Sequence, residues 1–213
     1  LTWTTGAFFL KQEYGFPTPA RIYGDAFGPG VTVRVGDLGE TTSYALYAQT
    51  SFDIAPRLRG TLGGRINRDE IDADGLTAIE IEGLGTVQST TQHEDKTFDK
   101  FTYRAALDFK ATDDTLLYAS VSRGTKAGLF NFATFDPTPI KPEVLDAYEV
   151  GFKSELMERR MRLSGAVFYY DYKNPQVQTQ QPSGVTRLSN AKAARIRGVE
   201  LEAGMAVTSD LSV

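Results

Sequence analysis

The 213-residue chain has no cysteine, one histidine and one tryptophan. Without cysteine there is no disulfide framework, thiol nucleophile or thiolate metal site, a composition that suits any compartment, including an oxidising one. A single histidine, His93, excludes a His-based catalytic triad and a multi-histidine metal centre within the chain. No run approaches the roughly 18–20 apolar residues of a membrane-spanning helix. That excludes a helical membrane protein but not a membrane β-barrel, whose spans alternate in polarity and give a weaker hydropathy signal. Basic residues are not in surplus: 23 Lys and Arg stand against 27 Asp and Glu, a net charge of -4. With no cluster of Lys and Arg, nucleic acid is not an expected partner. The opening "LTWTTGAFFLKQEY" has no initiating Met and none of the parts of a secretion signal. It reads as the middle of a strand, so the sequence is expected to be a fragment of a longer protein.

What is present is a folded composition, 41% hydrophobic and 23% charged, organised with a period of two. Tyr148, Val150, Phe152, Ser154 and Leu156 share one parity, while Glu149, Gly151, Lys153 and Glu155 share the other. The same alternation sets Tyr44, Leu46, Ala48, Thr50 and Phe52 against Ala45, Tyr47, Gln49, Ser51 and Asp53. It recurs in Leu58, Leu62 and Ile66, in Tyr103, Ala105, Leu107 and Phe109, and in Val199, Leu201, Ala203 and Met205. One face of each segment is apolar and the other carries charge, as β-strands between two different media require. The pattern predicts an all-β chain with strands near 2–14, 41–53, 58–71, 97–110, 115–128, 144–156, 160–180 and 186–207. Around "RLSGAVFYYDY" both parities are apolar, so periodicity does not assign the lipid face of that strand.

The expected connections alternate in length. "IAPR" at 54–57, "ATDD" at 111–114, "LMERR" at 156–160 and "TSDL" at 208–211 read as short turns. Gly-, Pro- and Asp-rich loops are expected at 15–40, 72–96 and 129–143, and a shorter one near Pro182-Ser183-Gly184. Soluble strands average about five or six residues, whereas a tilted membrane strand needs about nine to eleven. Long strands with short turns at one end and long loops at the other point to an outer-membrane barrel with extracellular loops. In that reading the Tyr148/Val150/Phe152 row meets lipid, and Glu149, Lys153 and Glu155 meet a wet lumen. A soluble β-sandwich or β-helix would also alternate.

Three stretches carry a resemblance: "LLYASVSRGTKAGLFNF", "IKPEVLDAYEVGFKSELMERRMRLSGAVFYYDYKNPQVQ" and "RLSNAKAARIRGVELEAG". Their motif residues are Tyr118, Arg123 and Gly124, then Pro142, Glu143, Tyr148, Glu149, Gly151, Phe152 and Lys153, then Gly198, Glu200 and Glu202. In order and spacing they resemble the TonB-dependent outer-membrane receptors, siderophore receptors among them. "WTTGAFFL", "YALYAQTSFDI" and "LRGTLGGRINRD" look like earlier strands of the same wall. The family commonly has an aromatic where Thr125 stands and a second Gly where Leu129 stands. The resemblance implies an antiparallel transmembrane β-barrel wall, with residues 1–213 forming about eight of some 22 strands around a plugged lumen. It leaves the plug domain and the C-terminal strands outside the chain, which stops at Leu211-Ser212-Val213 where another strand would begin. The implied function is import of a scarce solute, foremost a ferric siderophore, energised by the TonB-ExbB-ExbD complex acting on the plug. Outer-membrane lipid and lipopolysaccharide are the implied surroundings, with no catalytic residues and no cofactor. Import of cobalamin or an oligosaccharide fits the same architecture. A complete eight-stranded structural or adhesion barrel would instead close strand 1 on strand 8. An outer-membrane lipase or protease needs a nucleophile–base pair that is not found.

Among individual residues, Tyr14, Phe16, Arg21 and Tyr23, with Phe130, Phe132 and Phe135, could make an aromatic and basic mouth for an anionic chelate. The commoner role for such aromatics is to hold loops together or to sit in the interfacial girdle. By parity Lys126 joins Tyr118, Ser120 and Ser122 in the lumen, near ligand. Arg123 points outward, where lipopolysaccharide phosphate could meet it; solvated rim charge is the blander reading of both. "EIDADGLTAIEIE" at 70–82 half matches a calcium loop, but Ile81 stands where the bidentate Glu belongs, so a solvated acidic loop is expected and no metal site. His93 is expected in an exposed loop. "GLGTVQ" at 83–88 lacks the third Gly and the strand-to-helix setting of a dinucleotide loop. Glu200 and Glu202 read as lumen-facing polar residues rather than an acid/base pair.

Overall fold

Strands this long are stable only where neighbours satisfy every backbone N–H and C=O, because lipid offers the backbone no hydrogen-bond partner. In the computed structural model, which describes residues 1–15, 20–23, 28–131, 136–180 and 186–207, the chain meets that requirement with antiparallel hairpins. The strands are β1 (Thr2–Gly15), β2 (Ala20–Tyr23), β3 (Val31–Ala55), β4 (Leu58–Ile81), β5 (Gly85–Lys110), β6 (Thr115–Lys126) and β7 (Leu129–Asn131). They continue with β8 (Asp136–Ile140), β9 (Glu143–Leu156), β10 (Met161–Lys173), β11 (Gln176–Gln180), β12 (Thr186–Asn190) and β13 (Ala193–Met205). No helix occurs among the described residues.

One sheet in the order β1-β3-β4-β5-β6-β9-β10-β13 forms the wall, and β2 adds to β3. These correspond to the eight expected strands, except that the expected 160–180 and 186–207 are each broken in two, as β10 with β11 and β12 with β13. β1 pairs with β3 and β13 with β10, and no ladder joins β1 to β13, so the sheet stays open and the closed eight-stranded barrel is ruled out for the described residues.

Register places most of the exposed apolar side chains on one surface. Val199 faces Val167, which faces Val150, which faces Ala119, which faces Leu107. Further along, Phe101 faces Ile66 and Ile66 faces Leu46. Leu46 is 67% exposed, Ile66 64% and Val150 55%, although each lies between two paired strands, a run of exposed apolar surface that suits lipid. The awkward strand 160–180 is resolved by pairing: Val167 and Tyr169 join the apolar row, while Ala166, Phe168 and Tyr170 lie on the polar face. Aromatic residues edge the row at both ends. Trp3, Phe52, Phe109 and Phe152 lie near the short turns, and Phe9, Tyr44, Tyr103, Tyr148 and Tyr169 lie toward the long connections. From Phe52 to Tyr44 the strand climbs about 27 Å, or about 19 Å of height at a tilt near 45°, which suits the apolar band of a membrane barrel.

The short turns fall at Pro56-Arg57, Ala111–Asp114 and Met157–Arg160, as expected. The turn expected at 208–211 and the loop at Pro182-Ser183-Gly184 lie outside the described residues. Two of the expected long loops are instead strand. β3 begins at Val31, and β4 and β5 run on to Ile81 and from Gly85, so most of 72–96 is a hairpin standing beyond the apolar row. Its tip turns at Glu82-Gly83-Leu84, where Leu84 N–H donates to Ile81 O over 3.0 Å and Gly83 and Gly85 take φ of 81° and 75°. The glycines of "GLGTVQ" thus serve a tight turn that needs positive φ. The segment 129–143 holds a second hairpin, β7 with β8, and β11 with β12 make a third.

Candidate functional site

On the polar face the motif residues interlock. Tyr118 donates its hydroxyl to Glu149 Oε1 at 2.7 Å, and Lys153 Nζ lies 5.8 Å from the Tyr118 ring centre. The Tyr118 ring lies over Gly151, where a Cβ would come 2.7 Å from the ring and 2.5 Å from Gly165 O. Phe168 lies over Gly198 in the same way, with 2.6 Å to a Cβ there, and stacks on Tyr170 at 4.8 Å. The two motif glycines are places for aromatic rings from the next strand, which packs the lumen side of the wall. A Cβ on Gly124 would meet open space, so the structure gives no steric reason for glycine there. Glu200 and Glu202 stand opposite Ala166 and Ser164 on this face, two residues apart along β13. Phe152 belongs to the outward row, its ring over Gly165.

At the rim, two buried carboxylates organise the connections. Glu143, 7% exposed, receives the Tyr172 hydroxyl and the Gln176 backbone N–H at 2.7 Å, with Lys126 Nζ at 3.6 Å. Gln176 Nε2 donates to Ala127 O and Lys141 O, and Asn190 Nδ2 donates to Lys141 O at 3.0 Å and Asn174 O at 2.9 Å. Buried Pro142 and Glu143, with Gln176 and Asn190, therefore tie the β7–β8 and β11–β12 hairpins to the top of the wall. Asp146, 4% exposed, sits in the outward row and accepts Arg123 Nε at 2.6 Å and Nη2 at 2.9 Å, plus Lys173 Nζ at 3.0 Å. Arg123 also lies 5.5 Å from the Tyr103 ring centre. Its outward direction is as expected, but Asp146 occupies its planar fork, so no phosphate is needed to satisfy it.

Of the expected aromatic mouth, the described members Tyr14, Arg21 and Phe130 lie apart. Tyr14 points to the polar face with its ring over Gly39, and receives a hydrogen bond from Thr41 Oγ1 at 3.5 Å. Arg21 stands opposite Arg34 in the β2–β3 ladder, in register with Ala78 of the outward row, on a different face from Tyr14 and Lys126. Phe130 is only 1% exposed and packs with Ile71, Ala73 and Phe98, so it holds a hairpin against β4 and β5 and offers a ligand no surface. Phe16, Phe132, Phe135 and the side chain of Tyr23 lie outside the described residues.

Residues 70–81 are strand, so the calcium-loop frame cannot wrap a cation, and no cluster of metal-ligating side chains occurs among the described residues. His93 is likewise in a strand, β5, rather than in a loop. It is exposed, with Nδ1 2.9 Å from Asp74 Oδ1 and 3.5 Å from Asp72 Oδ1. The Asp74 hydrogen bond, helped by the Asp72 charge, raises its pKa above the ordinary histidine value. Arg34 donates to Glu80 at 2.8 Å on the same projection and holds that carboxyl below the usual range.

Sequence reasoning missed Asp146, Tyr172, Lys173, Gln176 and Asn190. Asp146 had a signal: a lone carboxylate continuing an apolar parity requires a cation on a neighbouring strand.

An open membrane sheet with an apolar outward row, a polar inward row and hairpins at one end defines the wall of an outer-membrane β-barrel. The family model "TonB dependent receptor-like, beta-barrel" matches residues 1–212, and the chain belongs to that family, whose members lie in the outer membrane of Gram-negative bacteria. The metal-pseudopaline receptor CntO of Pseudomonas aeruginosa is 29% identical over 175 residues, 81% of this chain and 23% of CntO. The pesticin receptor of Yersinia enterocolitica is 35% identical over 98 residues, 45% of this chain and 14% of the receptor. Among solved structures, the ferric yersiniabactin uptake receptor FyuA of Yersinia pestis superposes with a TM-score of 0.65 at 22% identity, covering 97% of this chain and 33% of FyuA. That likeness shows the fold. The chain thus spans about a quarter or less of the curated relatives' length.

Proposed function

We propose that the chain is a piece of the barrel wall of a TonB-dependent receptor that imports a metal chelate, a ferric siderophore foremost. The observation that carries this reading is the match over 81% of the chain to a receptor named for a metal chelate. An inward row bearing Arg65, Arg104, Glu149, Lys153, Glu200 and Glu202 suits a hydrated lumen rather than a catalytic pocket. A plug in the lumen, worked by the TonB-ExbB-ExbD complex, would supply the movement. The wall would supply a lipid seal and hairpins that select cargo. Tyr14 and Lys126 are the inward contacts proposed for the chelate.

The test is a ligand panel on the full-length receptor, read by quenching of intrinsic Trp and Tyr fluorescence. Submicromolar binding of one ferric siderophore supports the proposal, and Lys126→Gln should then weaken it. Binding of cobalamin or an oligosaccharide with no response to any metal chelate overturns the cargo assignment and leaves the family intact.

A further inference from the structure

Strand β5 is open along one edge for much of its length. It pairs with β4 from Gly85 to Phe109, but β6 meets it only from Tyr103 downward, and no other strand pairs with it among the described residues. The backbone N–H and C=O groups that point that way over residues 85–102 therefore have no ladder. This opening is not an end of the sheet: β6 and β9 follow β5 in the wall, so the neighbour on that side is present and stops short. The β7–β8 hairpin reaches β5 at Phe98, against which Phe130 packs. Above that contact, residues 85–93 are exposed on both faces.

A free edge is a template for another strand, and long edges are normally blunted with charge, proline or a covering element. Gln88-Ser89-Thr90-Thr91-Gln92 has neither charge nor proline, and its ladder to β4 is regular below the register shift at Ile79 and Glu80. Gln88 lies about 44 Å up the strand from Phe101, the last apolar rung, so the edge stands clear of the membrane. The charge beside it is one-sided. Residues 72–96 hold six carboxylates and a single lysine, Lys96. Arg34 occupies Glu80 and His93 occupies Asp74, whereas Glu94 and Asp95 stand on β5 itself, one on each face, and enter none of the ion pairs among the described residues.

We propose that the β5 edge from Gln88 to Asp95 receives an extended segment of another polypeptide as an added antiparallel strand. In that direction the N-terminal end of the segment lies against Glu94 and Asp95 and is basic, while its C-terminal end lies against residues 88–92 and is β-branched. Main-chain hydrogen bonds supply the affinity, and the two unlike ends set the direction. A second copy of the chain does not suit the edge. Two receptors in one membrane point their β5 strands the same way, so each would bring Glu94 and Asp95 to those of the other. The partner is therefore an extracellular polypeptide with a basic, strand-forming segment. Its docking is independent of cargo and rests on the membrane reading of the outward row.

The test uses the full-length receptor in detergent, with binding read by fluorescence anisotropy and the edge by hydrogen exchange of residues 86–95. The probe is a labelled peptide, Lys-Arg-Thr-Val-Thr-Val-Thr-Val. Two further peptides carry N-methyl groups on one or the other alternating set of amides, and a third has Glu-Glu in place of Lys-Arg. One methylated peptide, whose blocked amides face β5, should bind at least ten-fold more weakly than the probe. The other, blocked on its outer edge, should stay within about three-fold. The Glu-Glu peptide should lose at least ten-fold, and Glu94→Gln/Asp95→Asn should weaken the probe about five-fold. Bound probe should slow exchange at alternate amides of residues 88–95. The proposal is overturned if both methylated peptides bind as the probe does, which would leave charge attraction alone, or if exchange at residues 88–95 is unchanged by bound probe. Protection of those amides before any peptide is added would also overturn it, by showing the edge already filled by the receptor or by a second copy.

Discussion

Replacing Asp146 with Asn keeps the shape of a buried side chain while removing the charge that two cations share. The carboxylate makes three charge-assisted contacts, at 2.6 and 2.9 Å with Arg123 and 3.0 Å with Lys173, and is 4% exposed. Hydrogen bonds to charged groups contribute roughly 1.5–3 kcal/mol each, and stranding a buried partner costs about 3–5 kcal/mol. Those values need discounting here, because the Arg123 side chain is 34% exposed and that of Lys173 47%, so water recovers part of what each cation loses. The net expectation for Asp146→Asn is a loss of about 2 kcal/mol. The assay is urea unfolding of the full-length receptor from lipid vesicles, in a cycle with Arg123→Gln and the double variant. A coupling energy of about 1.5–2 kcal/mol is expected, since each single substitution breaks the same pair. Losses that simply add, with coupling below about 0.5 kcal/mol, would refute the reasoning and reduce the pair to surface charge.

Gly151→Ala sets a methyl 2.5 Å from Gly165 O and 2.7 Å from the Tyr118 ring, so it should cost about 1–3 kcal/mol in the same unfolding assay, and Tyr118→Leu should recover only part of that loss. Phe130→Ala empties the small core under the β7–β8 hairpin; with up to about 3 kcal/mol at stake, it should raise hydrogen exchange of that hairpin while changing chelate affinity less than two-fold. His93 should titrate above the ordinary histidine value by NMR, and Asp74→Asn should bring it back toward that value. The sign follows from the raised pKa: the support His93 gives the hairpin is full below its unfolded pKa and is lost as pH rises through the folded one, so exchange near Asp74 should quicken above that point.

The eight wall strands were legible because each separates two media, and that requirement writes itself into alternating side chains such as Tyr148, Val150 and Phe152 against Glu149, Gly151 and Lys153. Strand β10 was not assignable alone, since Phe168 and Tyr170 are apolar rings on the polar face. Their burial depends on Gly198 and on one another, which only pairing reveals. The projection at 72–96 was read as loop from its Asp and Gly content. Its β5 arm, residues 85–93, is exposed on both faces, so no alternation is enforced there, although the β-branched Thr77, Ile79, Ile81, Val87, Thr90 and Thr91 favour strand. Phe130 could not be told from a ligand contact, because a loop aromatic has the same sequence signature whether it faces a chelate or a four-residue core. The rim network was hidden for a related reason: Glu143, Tyr172, Gln176 and Asn190 meet only after three hairpins return to one edge of the wall.

The most direct test of the account is a spin-label scan of single-cysteine variants at positions 116–121 and 147–152, in the full-length receptor reconstituted in bilayers. The chain has no native cysteine, so each label within it reports one position. Positions 117, 119, 121, 148, 150 and 152 should collide with oxygen dissolved in lipid. Positions 116, 118, 120, 147, 149 and 151 should collide with a water-soluble nickel chelate. Loss of this period of two, or a water-accessible Val150, would contradict the assignment of this surface to lipid and with it the placing of the chain in a membrane wall.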